Sequence, residues 1–173
     1  MKKLLFVFLA VWMALMPMGR VFASQEPPQE PLSVEYIEGS DGQRYILEEI
    51  KEITGASGTE ASGCKTYTQG VSMKDIFGNV LWKYSWKINW CYDGTTITYK
   101  NRWRVVNIYG VGIQYMGDIA NQTSGGVGQT FYWGYAQGRI CQVVVNNTCF
   151  QQWYPWVEQK VFGNGAAQGS SGW

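Results

Sequence analysis

The chain of 173 residues contains no histidine. That absence removes the usual general base of Ser and Cys nucleophile mechanisms and the usual ligand of catalytic zinc, so most hydrolase templates fail. Charge is sparse at 16% of residues, and proline occurs five times. The one long apolar run, Leu4 to Met16, is shorter than the roughly 18–20 residues that a membrane span needs. It follows Met1-Lys2-Lys3 and precedes the small-residue site Val21-Phe22-Ala23, which reads as a secretory signal peptide over residues 1–23. No cysteine stands at that site to carry a lipid. The expectation is an exported chain beginning at Ser24, without a stable membrane anchor and without cofactors.

What the sequence has in abundance is aromatic residues. From Leu81 to Tyr92 the even positions Trp82, Tyr84, Trp86, Ile88, Trp90 and Tyr92 are large and apolar, while Lys83, Ser85, Lys87 and Asn89 alternate with them. Alternate residues of a strand point to opposite faces, so this is a strand with one core face. Asp93-Gly94 follows, the signature of a two-residue hairpin turn. Pairing Tyr92 with Thr95 sets Trp90 opposite Ile97, Trp86 opposite Asn101 and Tyr84 opposite Trp103. It leaves Lys83, Lys87, Lys100, Arg102 and Arg104 together on the other face. Like charges across a ladder destabilise it, which points to a cover, to an anionic partner, or, as the favoured reading, to a sheet face kept soluble by cations with snorkelling stems.

Residues 24–63 hold nine Asp or Glu against Arg44 and Lys51. The Pro-rich stretch Glu26 to Pro31 reads as a solvated leader, and Val34–Ile37 with Arg44–Leu47 as a small hairpin, with one or two helical turns over Leu47 to Ile53 as the alternative. Gly55 to Gly63 is a flexible linker by composition. This acidic segment is expected to fold over the cations of the hairpin. Residues 64–173 carry nine Lys or Arg against Asp75, Asp93, Asp118 and Glu158. Strands are expected at 64–71, 80–109 as the hairpin, 112–116, 130–136, 139–145, 148–153 and 157–162. A turn falls at 74–79, a mobile loop at 121–128, and the Gly/Ser-rich tail from Gly163 should fray. Turn signals recurring about every ten residues predict an all-β antiparallel sandwich or jelly roll.

Four cysteines in an exported chain imply two disulfides. The favoured pairing is Cys64 with Cys91 and Cys141 with Cys149, the latter requiring a loop longer than an Asn146-Asn147 turn. Their spacings lack the close pairs of a zinc site. A carboxylate pair could still hydrolyse glycosides, yet Asp75 and Asp93 have turn roles and Glu158 suits a wet strand face. Asp118 has no evident structural task, and calcium is the ion weighed for it. Trp133, Tyr135, Trp153, Tyr154 and Trp156 are candidates for an exposed aromatic platform on which sugars stack.

Leu81-Trp82-Lys83-Tyr84, Trp90-Cys91-Tyr92-Asp93-Gly94 with Ile97-Thr98, and Gly125-Gly126-Val127-Gly128 together resemble the pattern of uncharacterised secreted proteins of Gram-positive and related bacteria. The resemblance spans about residues 64–165 and implies export, the cysteines and an all-β domain, with no activity. The functional expectation is a secreted, non-catalytic module for cell-envelope or environmental glycans or an anionic wall polymer. The alternative is an antagonist or toxin acting on a protein or membrane surface. Nucleic acid is not expected as a partner of an exported chain of this charge.

Overall fold

The structure is a computed structural model that describes residues 34–39, 42–55, 62–144 and 148–173. The expected signal peptide, the Pro-rich leader, the linker residues 56–61 and the Asn146-Asn147 turn lie outside the described residues. Among the described residues, ten strands form two antiparallel sheets. The first is a meander of β1 (Val34–Glu38), β2 (Arg44–Gly55), β3 (Gly63–Asp75), β4 (Val80–Tyr92) and β5 (Ile97–Ile108). The second contains β6 (Ile113–Gly125), β7 (Phe131–Val144), β8 (Thr148–Trp153), β9 (Trp156–Phe162) and β10 (Ala167–Gly172), in the order β10-β9-β7-β6. β9 pairs with the first half of β7 and β8 with the second half. Pro155, which has no N–H for a ladder, stands at the break between them, and its carbonyl accepts from the Gly138 N–H at 2.8 Å.

The even positions of β4 form the core face, as the alternation predicts. Trp82, Tyr84, Ile88 and Trp90 have no exposed surface, and Tyr67, Val71 and Met73 of β3 flank them. The second sheet meets them with Tyr132, Ala136, Ile140, Trp153, Val157 and Val161. Two polar groups that enter this core find partners on the opposite sheet: Gln159 Nε2 donates to the Trp86 carbonyl at 2.8 Å, and Trp90 Nε1 to the Phe162 carbonyl at 3.2 Å. A buried amide without such partners costs far more than one bond returns.

Both expected disulfides are present, Cys64–Cys91 and Cys141–Cys149. Cys64 and Cys91 are direct neighbours across β3 and β4. For the second pair, the connection is one residue longer than an Asn146-Asn147 turn, as expected, since Val144 faces Thr148 and Val143 faces Cys149, and a bulge follows: Gln142 faces Gln151, so Phe150 is the extra residue. The slip brings the Cα atoms of Cys141 and Cys149 to 5.6 Å, within the span of a disulfide.

Several boundaries differ from the sequence reading. Asn121 to Gly125 continues β6, residues 131–144 are one strand, and the tail forms β10 on the edge of β9. Residues 34–55 do not cover the cations. They extend the first sheet in its own plane beyond β3, pairing Tyr45 through Gly55 with Asp75 through Lys65, so the compact unit starts ahead of Cys64. Ile37, Tyr45 and Leu47 are buried in the core, and that apolar burial outweighs the attraction between screened surface charges.

The turn after β4 carries the largest correction. Asp93 does not open a two-residue turn. Its carboxylate accepts from the N–H groups of Thr95 at 2.9 Å and Thr96 at 2.7 Å, closing a four-residue turn over 93–96. A bulge at Cys91/Tyr92 then sets Tyr92 opposite Ile97, Trp90 opposite Lys100 and Trp86 opposite Arg104. From Tyr99 onward the slip moves the side chains of β5 to the other face, while Ile97 keeps its place in the core. Tyr99 and Trp103 stand outside, 49% and 37% exposed, and Lys100, Arg102 and Arg104 turn toward the second sheet.

Candidate functional site

Since Tyr132, Ala136 and Ile140 of β7 fill the core, the odd residues Phe131, Trp133 and Tyr135 face away from it. In β9 the buried Val157, Gln159 and Val161 impose the same choice, so Trp156, Glu158, Lys160 and Phe162 face outward. Antiparallel pairing sets Phe131 beside Phe162, Trp133 beside Lys160, and Tyr135 beside Glu158. Five half-buried rings thus run along the outer face of the second sheet, with an acid and a cation between them. Tyr135 and Trp156 stack with centroids 6.4 Å apart and planes 24° from parallel. Trp133 Nε1 donates to Glu158 Oε1 at 2.6 Å, and Lys160 Nζ lies about equally near the rings of Phe131 (5.0 Å) and Phe162 (5.1 Å). Beside the strip, Glu158, Lys160, Gln168, Gly169 and Ser170 line an open hollow of about 320 Å³.

Of the five platform residues expected from sequence, the structure brings together Trp133, Tyr135 and Trp156. Trp153 is separated from them. It lies opposite the inward-facing Ile140, is 1% exposed, and packs edge-on against Tyr45 at 5.9 Å and beside Trp82 at 6.2 Å. Tyr154 stands in the β8–β9 break, 39% exposed, with its hydroxyl donating to Gln152 Oε1 at 2.7 Å. Phe131 and Phe162 are the members that the sequence reading missed. Their parity with Trp133 and with Trp156 was the available signal.

The five expected cations do not share a face. Lys83 and Lys87 remain on the outside of the first sheet, whereas those of β5 lie over rings between the sheets. Lys100 Nζ is 4.2 Å from the Tyr132 centroid, Arg102 Cζ 4.0 Å from that of Trp86, and Arg104 Cζ 4.8 Å from that of Tyr115. Such contacts offset part of the desolvation cost of a half-buried cation. Arg102 also donates to Asn121 Oδ1 at 3.1 Å, and burial pulls its pKa below the ordinary value.

Asp118, the residue without an evident task, is the anchor of this row. Its carboxylate accepts from the hydroxyls of Tyr84 at 2.9 Å and Tyr115 at 2.5 Å and forms an ion pair with Arg104. The cation it holds is a side chain of its own chain. Among the described residues no three Asp, Glu, Cys or His are grouped as metal ligands would be. Asp75 and Asp93 have capping roles, with pKa values below the ordinary carboxylate range. For Asp75 the main cause is the Asn79 side chain, and for Asp93 the backbone N–H of Thr96. Glu158 alone of the four carboxylates stands in the aromatic strip.

Fold and site together define a disulfide-stapled antiparallel β-sandwich with an aromatic strip on its outer face. Comparison of the chain with protein-family models, curated proteins and solved structures finds no match. Among the described residues no helix is long and apolar enough to cross a membrane.

Proposed function

We propose that the protein is a secreted, non-catalytic module that binds glycans of a cell envelope or the environment through the outer face of its second sheet. The observation that supports this reading is the placement of Trp133, Tyr135 and Trp156 outward on two paired strands with Glu158 and Lys160 between them. A pyranose presents an apolar C–H face and a rim of hydroxyls. Flat rings complement the first, and a carboxylate, an ammonium and the amide of Gln168 complement the second. Rings already packed side by side on a sheet lose little entropy when a ligand stacks on them. Two disulfides suit an oxidising, extracellular setting, in keeping with the signal-peptide pattern at the start of the chain.

The test is retention of the purified protein on insoluble polysaccharides and purified cell wall, followed by titration with soluble fragments of whichever is bound. Trp133→Ala and Trp156→Ala should each lower affinity about tenfold or more, the usual loss when a central aromatic contact is removed. Trp103→Ala, on the other sheet, should leave it unchanged. No retention on any polysaccharide, or equal retention by all three variants, would overturn the reading.

A further inference from the structure

The turns at the two ends of the sandwich differ in chemistry. At one end the β3–β4 turn carries Ile76 and Phe77, and the β5–β6 turn carries Tyr109 and Val111. Their exposures are 58%, 83%, 58% and 99%. At the other end, residues 93–96, 126–130 and 163–166 present Asp, Gly, Thr, Gln and Asn, with Val127 the one exposed large apolar residue among these turns. A turn of polar residues would serve a solvated connection equally well at both ends. Four apolar side chains held in water at one end are a net cost unless something buries them.

The tips that carry these side chains are fixed by hydrogen bonds. Asp75 Oδ1 accepts from the N–H of Phe77 at 2.9 Å and of Asn79 at 2.8 Å, and Oδ2 accepts from Asn79 Nδ2 at 2.8 Å. Gly78, at φ +86°, closes the turn with its N–H on the Asp75 carbonyl at 3.0 Å. In the second tip, the N–H groups of Tyr109 and Gly110 both donate to the Leu81 carbonyl at 2.9 Å. Most of the ordering needed for these side chains to insert is therefore complete before contact.

We infer that this end of the sandwich docks shallowly into a lipid bilayer surface, with Phe77 and Val111 as the inserted side chains. The arrangement fits a bilayer better than a folded partner. The apolar groups stand on separate turns, and beside Ile76 and Phe77 lies a hollow of about 530 Å³ lined also by Gly42, Arg44 and Asp75. A folded partner requires a contiguous desolvated patch, and here it would have to bury the charged groups of Arg44 and Asp75 that line the hollow. A fluid interface flows around separate fingers and leaves the hollow hydrated. Tyr109 suits the headgroup level, as does the exposed Arg44 at the start of β2, where a cation meets phosphate. Two insertion tips without a lipid anchor give reversible binding. This surface is separate from the aromatic strip and stands or falls independently of it.

The experiment is sedimentation of the purified protein with vesicles of phosphatidylcholine containing a minority of phosphatidylglycerol. Wild type should partition to the vesicles, and Phe77→Asp and Val111→Asp should each lower the bound fraction about tenfold. Both positions are exposed, so the variants should keep the wild-type melting temperature. Trp133→Ala should bind vesicles as wild type does. A gain of signal provides the second measurement: the indole of Phe77→Trp should shift its emission to the blue on vesicles and be quenched by brominated acyl chains. Failure of wild type to bind vesicles, undiminished binding by both Asp variants, or an unquenched indole would each overturn the inference. The first of these would hold even if the same tips were found to grip a protein.

Discussion

At the scale of single residues, the fold depends on a guanidinium between the two sheets. Arg102 lies over Trp86 because residue 134, facing it from β7, is glycine. A Cβ there would come within 2.8 Å of Arg102 Cζ. Gly134→Ala should therefore destabilise the protein by about 1–3 kcal/mol, the usual cost of overpacking, as read by chemical denaturation. The same change in an Arg102→Ala background should cost much less, since the atom it strikes is gone; equal costs in the two backgrounds would show that the strain lies elsewhere. Phenols supply a second test. Tyr67, Tyr84 and Tyr115 are all pushed above the ordinary tyrosine value, in each case first by burial. A raised folded pKa contributes stability that is fully present below the unfolded value near 10 and is lost as pH rises beyond it. These three should stay protonated above pH ~10 and ionise together when the protein unfolds in alkali, giving a cooperative step in phenolate absorbance. A smooth titration of all tyrosines near 10 would contradict the buried network around Asp118.

Elements show which patterns a strand can and cannot announce. Asp93 fastens the β4–β5 turn and so sets the parity of β5. Its folded pKa is depressed, as is that of Asp75 in the preceding turn, and a depressed carboxylate contributes stability above its unfolded value of ~3.9 that is lost as pH falls through the folded one. Asp93→Ala should lower the denaturation midpoint at neutral pH, and the gap to wild type should narrow below pH ~3.9; a gap independent of pH would mean that the carboxylate is not the fastening group. β4 was legible from sequence because only one parity is apolar. β5 was not, since Tyr99 and Trp103 lie on one parity, Val106 and Ile108 on the other, and the second also carries Lys100, Arg102 and Arg104. Reading cations as wet is sound until aromatic rings and a carboxylate wait for them across the core, and those partners lie 14 or more residues away or on another strand. The same limit applies to Trp153, which the sequence grouped with Trp156. Its inward turn follows from the β7–β8 register, which depends on the bulge at Phe150. The outward strip was half legible: Trp133 and Tyr135 share parity, but β9 had to be paired before Trp156 could join them.

For the whole molecule, the acidic segment matters most. Composition separated residues 24–63 from the rest, and charge alone suggested a detachable cover. The structure instead sets β2 against β3 for eleven paired positions. Ile37, Tyr45 and Leu47 enter the same cluster as Met73, Trp82 and Trp153, and Glu48 pairs with Lys74 at 2.6 Å on the outside. The half-exposed ion pair contributes little, whereas each buried side chain contributes about 1.5–3 kcal/mol. Together those three rival much of the roughly 5–15 kcal/mol that holds a domain folded. A chain beginning at Ser62 would also leave β3 as an edge with its backbone donors unpaired and Val71 and Met73 uncovered, a surface that invites association. Such a truncation should aggregate or melt far below the full chain. If β1 and β2 were a dispensable cover, it would instead remain monomeric with an unchanged melting temperature and bind soluble polyanions more tightly at low salt. Thermal melting with light scattering separates the outcomes, and the core contacts of Tyr45 and Leu47 commit the molecule to the first.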